Sequence, residues 1–204
     1  VCRTEFAGAG ATGFPGLPVF SQAFCEMNVV STLSKVRLAI SAGAPLSRAV
    51  AKKFFEKFKQ TIHSFYGASE CGGICYDRDG TAFEDGLVGR PMKGVEIEFV
   101  DPTASVSQIR VRSEAVSDSY FPEPDDQKLG NGAFVPDDLL VPRNSALKIV
   151  GRISDVINVA GKKVNPAEVE AYLTRFEGVR QVVVFGCPKD AGLRNEEVAA
   201  CVVA

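Results

Sequence analysis

The sequence predicts an α/β protein: a strand–helix–strand unit on a parallel sheet, then a small antiparallel β subdomain, then a small, incomplete α+β unit. Three observations predict it. An apolar strand, an amphipathic helix and a second strand follow one another over residues 36–66. Short alternating runs take over from Gly86. A capped helix flanked by apolar runs fills the last fifty residues. Such a succession packs as layers around a sheet.

Bulk properties narrow the setting. A chain of 204 residues, 46% hydrophobic and 24% charged, can bury a sizeable core as one large domain or two small ones. A net charge of −2 gives no electrostatic reason to expect nucleic acid or an anionic membrane as partner. No apolar run reaches the roughly 20 residues that span a bilayer, and Val1–Glu5 lacks the basic start of a signal peptide. A cytoplasmic setting is the expectation. The chain has no initiator Met and is expected to begin partway through a longer protein. Its cysteines (Cys2, Cys25, Cys71, Cys75, Cys187 and Cys201) form no CxxC pair, and His63 is the single histidine. Reduced, small buried hydrophobes fit that pattern better than a zinc site.

Taken in order, the first thirty residues are apolar and glycine-rich. Gly8–Gly13 spells GxGxxG, but Arg3 and Glu5 spoil a preceding strand, and Pro15 and Pro18 follow at once. A dinucleotide fingerprint needs a strand before it and a helix after it, so this one fails in context. A short helix is expected over Val19–Met27.

Val36–Ile40 reads as a strand ending in the polar loop Ser41–Pro45. Ser47 can cap a helix whose apolar face is Val50, Phe54 and Phe58, with Lys52, Lys53, Glu56, Lys57 and Lys59 solvated. Thr61–Tyr66 is the second strand, ending in Gly67-Ala68-Ser69-Glu70. Such a crossover is right-handed and makes the two strands parallel, so both loops emerge at the carboxyl edge of one sheet. Open α/β sheets bind their ligands there.

Val95–Phe99 and Gln108–Arg112 alternate as antiparallel strands do, and Leu147–Val150 is another strand leading into Gly151-Arg152. Beyond it, Asn165 caps a helix with Pro166 first and Glu168 third. Val169, Tyr172, Leu173 and Phe176 form its apolar stripe, and Gly178 is placed to end it. Val182–Phe185 and Val198–Val203 read as strands, either closing an α+β unit or marking a truncation. The expected division is residues 1–85 as part of a large α/β domain, 86–151 as a β-barrel-like subdomain, a hinge at 152–155, and a partial α+β domain over 156–204.

Singly these loops are weak signals, and their order carries the reading. Gly43-Ala44-Pro45, Tyr66-Gly67-Ala68-Ser69-Glu70, Asp138, Gly151–Asp155, Gly161 and Pro166–Glu170 form one ordered series. The series resembles the acyl-adenylate-forming superfamily: acyl-CoA synthetases, adenylation domains of peptide synthetases, and luciferases. Its most specific stretch is Gly151–Glu170, GRISDVINVAGKKVNPAEVE. The resemblance implies an AMP-forming ligase that uses ATP, Mg²⁺ and coenzyme A, with a small-molecule carboxylic acid as substrate and the pantetheine of CoA or a carrier protein as acceptor. A non-catalytic nucleotide-binding remnant is the alternative.

It also implies roles. Tyr66, beside Gly67 and Ala68, matches the aromatic residue that packs against adenine, and Gly43, Ala44 and Pro45 match the loop walling the base. Ser69 matches a hydroxyl on the α-phosphate, and Glu70 the Mg²⁺ carboxylate. Asp138 matches the carboxylate that takes both ribose hydroxyls, with Arg152 near the same sugar. Gly161 matches the lining of the thiol's tunnel.

The sequence departs from the pattern in places. The phosphate loop with its lysine and the C-terminal catalytic lysine fall outside this sequence, so the chain alone is expected to form little acyl-adenylate. The usual Thr-Gly before the ribose aspartate is Pro136-Asp137, which puts a second carboxylate beside the sugar. The hinge position is Ser154 rather than Asp or Lys. Lys162-Lys163 reads as a solvated face rather than a CoA phosphate clamp. His63 either faces the acyl pocket or packs away from it.

Overall fold

A computed structural model describes residues 11–27, 35–80, 86–188 and 196–204. Half of the Gly8–Gly13 string (Gly8–Gly10), together with Val1–Glu5, lies outside the described residues.

A seven-stranded mixed sheet organises the first three quarters of the chain. Its parallel part is β1 (Gly13–Gly16), β2 (Leu38–Ser41) and β3 (Ile62–Ala68), with Gly13 opposite Leu38 and Ala39 opposite Ile62. The helices α1 (Pro18–Glu26) and α2 (Arg48–Phe58) make the crossovers. The Ser47 hydroxyl caps α2 by accepting from the Val50 amide at 3.3 Å, which satisfies one of the helix's free N–H groups. Phe54 is fully buried and meets Phe58 at 4.7 Å between ring centroids. Lys57, expected to be solvated, instead donates to the Cys25 carbonyl at 2.8 Å and ties the helices together.

The sheet continues antiparallel through β4 (Gly72–Tyr76), β5 (Leu87–Pro91), β11 (Ala146–Arg152) and β10 (Asp138–Arg143), in that spatial order. Beside it stands a second sheet of β6 (Glu96–Phe99), β7 (Ile109–Arg112), β9 (Ala133–Phe134) and β8 (Leu129–Gly130). The strand β4 was not foreseen, because Gly72 and Gly73 weaken any strand signal. Pairing with β3 and β5 overrides that weakness.

Two apolar cores result. One joins Phe14, Leu46, Phe54 and Ile62 between the parallel strands and the helices. The other joins Tyr66, Ile74, Ile109, Val111 and Leu140 between the two sheets. Neither contains a residue beyond Ile149.

The last part of the chain is built from small pieces. A 3-10 turn over Ile153–Asp155 leads to the hairpin β12 (Ile157–Val159) and β13 (Lys162–Val164). Then come α3 (Pro166–Leu173) and the hairpin β14 (Gln181–Pro188) with β15 (Glu196–Val203). Asn165 caps α3 as expected, accepting from the Ala167 amide at 3.1 Å. The expected apolar stripe holds less well. The helix stops at Leu173, so Phe176 lies outside its periodicity, and Tyr172 and Phe176 stay more than half exposed. Likewise Val184 is buried while Val183 and Phe185, on the opposite face of β14, are not.

Among the described residues no helix is long and apolar enough to cross a membrane.

Candidate functional site

The carboxyl ends of β2 and β3 open into a cleft of about 1180 Å³. Gly43, Ala44 and Pro45 line it from the loop after β2, and Tyr66, Gly67, Ala68 and Glu70 from the end of β3. Asp138 at the start of β10 and Arg152 at the end of β11 line it too, although 72 and 86 residues of sequence separate them from Tyr66. Antiparallel register explains the meeting of the last two, since Asp138 pairs directly with Arg152.

Two predicted residues stand apart. Ser69 is exposed on the turn between Ala68 and Glu70 and does not line the cleft, and Gly161 lies in the exposed turn of the β12–β13 hairpin.

Asp138 is the centre of the arrangement. It is only 8% exposed, and both its oxygens are held. The Tyr66 hydroxyl donates to Oδ2 at 2.8 Å, and Arg152 Nε donates to Oδ1 at 2.8 Å. Burying a carboxylate is costly unless such partners hold it. In return, burial and the adjoining Asp138 charge push the Tyr66 phenol far above its ordinary value. The hydrogen bond and charge of Asp138 also raise the Arg152 guanidinium. Tyr66 is therefore a neutral donor and Arg152 a fixed cation. A carboxylate has about four lone-pair sites, so Asp138 retains acceptor capacity towards the cleft. Gly67 keeps the wall thin, since a Cβ there would sit 2.5 Å from the Gly72 carbonyl oxygen.

Glu70 occupies the other side. Its Oε1 accepts from the Tyr120 hydroxyl at 2.9 Å, and burial followed by Glu70 pushes that phenol up to about 12. Among the described residues no three His, Cys, Asp or Glu side chains cluster as metal donors. Glu70 is a single carboxylate that keeps Oε2 available. That suits Mg²⁺, which binds through one or two carboxylates plus substrate phosphates rather than an all-protein cage.

Lys128, Ser41, Ser64 and Glu196 also line the cleft and were not legible from the sequence. Lys128 pairs with Asp137 at 2.7 Å, both side chains lining the cleft. Ser41 and Ser64 sit opposite one another on β2 and β3, line the cleft, and bury hydroxyls with no partner among the described residues. A lone serine in a strand carries no such signal, and only the parallel register brings these two together. Asn165, Glu170 and Glu196 close the cleft from the C-terminal side. There Glu170 accepts from the Val184 amide and Glu196 from the Asn158 amide. His63 turns away, with its Nδ1 2.9 Å from the Asp77 carbonyl oxygen and its ring stacked on Tyr76.

Comparison with known proteins places this geometry in context. A long-chain-fatty-acid–CoA ligase of Escherichia coli O6:H1 is 29% identical over 183 residues, which is 83% of this chain and 32% of that protein. A 3,4-dihydroxybenzoate–[aryl-carrier protein] ligase of Bacillus anthracis is 34% identical over 149 residues, 72% of this chain and 31% of that protein. The ATP-bound structure of MatB from Rhodopseudomonas palustris superposes with a TM-score of 0.83 at 25% identity, covering 98% of this chain and 42% of that one. The chain thus spans about a third of the length of these curated relatives. The sequence model of the family described as AMP-binding enzyme matches residues 4–121, more than half of the chain and the part that supplies Gly43–Pro45 and Tyr66–Glu70. By that match, this chain belongs to the AMP-binding enzyme family.

Proposed function

We propose that this chain is the nucleotide-binding portion of an AMP-forming acyl-CoA ligase. In this reading the cleft takes adenosine phosphate, with Tyr66 and Gly43–Pro45 around adenine. The ribose diol donates to Asp138, whose carboxylate Arg152 and Tyr66 hold in place. The observation that carries the reading is that buried carboxylate, fixed at both oxygens on the cleft wall by residues from β3 and β11. Such preorganisation lowers the cost of fixing a diol.

The proposed reaction has two halves. A substrate carboxylate oxygen attacks the α-phosphorus of ATP, the bond to the bridging oxygen breaks, and pyrophosphate leaves. A pantetheine thiol then loses its proton, its sulfur bonds the acyl carbon, and AMP departs. Positioning and charge neutralisation supply most of the catalysis in such transfers. Mg²⁺, when bound, neutralises phosphate charge, and Glu70 with its Tyr120 bond is the carboxylate offered to it. Ser69 and Gly161, which stand apart from the cleft, take no part in this reading.

A second acceptor fits as well: the aryl-carrier protein ligase relative is 34% identical, so a carrier-protein pantetheine can stand in for that of CoA.

Calorimetric titration of the chain with AMP, 2′-deoxy-AMP and 2′,3′-dideoxy-AMP tests the ribose assignment. Binding is expected to weaken as each hydroxyl is lost. Asp138→Asn should cost about tenfold or more for AMP and almost nothing for the dideoxy form, the pattern of a lost charge-assisted bond. Equal losses for all three nucleotides would refute it.

A further inference from the structure

We propose that Lys128 is a positioning residue that neutralises Asp137, and so lets an aspartate stand beside the ribose carboxylate without repelling an anionic nucleotide. The inference rests on the nucleotide reading above.

The starting point is the pair Asp137-Asp138, two adjacent carboxylates that both line the cleft. Asp138 is compensated by Arg152 and Tyr66. Neither of these groups bonds the Asp137 side chain. That carboxylate is held by Lys128, whose Nζ lies 2.7 Å from Oδ2, and both side chains are about one-third exposed. At such partial burial a charge is less screened than on an open surface, and a missing partner is felt by its neighbours. The Asp137 charge already reaches two members of the site, since it contributes to the raised values of both Arg152 and Tyr120.

The charge balance of the cleft makes this compensation matter. Seven carboxylates but only three cationic side chains line it. Glu170 and Glu196 accept from backbone amides of the C-terminal unit, and Asp138 is held as described, so their charges are structurally committed. Asp137 is different. Its backbone is used, because its carbonyl accepts from the Ile153 amide at 2.8 Å, while its side chain has Lys128 as its ion-pair partner. The segment itself is anchored independently, by Gln108 donating to the Pro136 carbonyl at 2.9 Å. Removing the Lys128 charge should therefore leave the loop in place and expose an uncompensated negative charge next to the sugar and phosphate.

The local sequence shows how Lys128 comes to be there. The Leu129 amide donates to the Asp125 carbonyl at 2.8 Å, and the Asp125 carboxylate caps the turn at the Gln127 and Lys128 amides. The Val135 amide then donates to the Lys128 carbonyl at 2.8 Å. This ladder fixes the Lys128 backbone one strand away from Pro136-Asp137, within reach of the carboxylate.

The test is a rescue cycle on the full chain, read by calorimetric titration with AMP and with adenosine, and with thermal melts to confirm folding. Lys128→Met, which keeps most of the aliphatic stem, is expected to weaken AMP binding by about tenfold, the scale of one uncompensated neighbouring charge. Adenosine, lacking the phosphate, should lose clearly less. Lys128→Arg should keep the unaltered affinity. The deciding variant is the double substitution Lys128→Met with Asp137→Asn, expected to return to within about threefold of the starting affinity, because the cost lies in the exposed charge rather than in the missing lysine.

If the double variant stays as weak as Lys128→Met alone, Lys128 acts on the nucleotide directly and the proposal is overturned. Unchanged AMP binding by Lys128→Met overturns it too, as does a double variant that no longer folds, which would make the lysine structural. Absence of AMP binding by the unaltered chain would remove the nucleotide reading itself, an outcome distinct from the other three.

Discussion

Asp138 and the serine pair show how unequal buried polar groups can be. Asp138 is buried with two partners, and replacing it by alanine would strand the buried Tyr66 hydroxyl and take away the Arg152 ion-pair partner. Ser41 and Ser64 are buried with hydroxyls that have no partner among the described residues. A buried, unmatched hydroxyl costs about 1–3 kcal/mol, and removing it recovers part of that cost. Ser64→Ala is therefore expected to leave the melting temperature unchanged or raise it, whereas Asp138→Ala should lower it. Thermal unfolding followed by circular dichroism compares them. A drop for Ser64→Ala as large as that for Asp138→Ala would mean that the hydroxyl has a structural partner.

At the scale of elements, the join between β11 and α3 decides how the C-terminal unit sits. The proposed hinge, Arg152–Asp155, is exposed throughout. What crosses it is specific and polar: Asn165 Nδ2 donates to the Val150 carbonyl at 2.8 Å while its Oδ1 caps α3. Gly151 makes this approach feasible, because a Cβ there would sit 2.7 Å from the Asn165 side chain. Asn165→Ala loses both bonds, with the cap alone worth about 1 kcal/mol. Limited proteolysis should then cut faster at Ile153–Asp155, and Gly151→Ala should do the same by displacing Asn165. Cleavage at the unaltered rate in both variants would show that this contact does not hold the segment. Hinges are commonly a few element-terminal residues, and the proposed segment begins at the last residue of a strand.

For the whole molecule, stability at high pH reports how well the core between the two sheets is sealed. Burial pushes the Cys75 thiol up to about 12 and the Cys71 thiol up to about 11, against an ordinary value of 9.0. The folded chain thus keeps both protons at a pH where an unfolded chain has released them. Stability from these groups is complete below the unfolded value and declines as pH rises from about 9 towards 12. Denaturant midpoints measured from pH 8 to 11 should fall accordingly, and Cys75→Ala should flatten the slope. A disulfide-exchange reagent should label exposed Cys201 rapidly and leave Cys71 and Cys75 protected until unfolding. Fast labelling of Cys75 at neutral pH would contradict a sealed core.

The sequence alone determined the strand–helix–strand unit, because Val50, Phe54 and Phe58 recur at helical spacing behind a serine cap and the flanking runs are apolar enough to be strands. It also determined the ordered series Gly43–Pro45, Tyr66–Glu70, Asp138 and Arg152, since local chemistry and order are written along the chain. Pairing across the chain was beyond it. That β4 completes the sheet despite two glycines, that Lys128 neutralises Asp137, and that Ser41 meets Ser64 all depend on which strands pair and in what register. The exposed faces of Tyr172 and Phe176 make the same point from the other side. Periodicity names an apolar stripe, but burial needs a partner surface, and only the tertiary structure decides whether one is there.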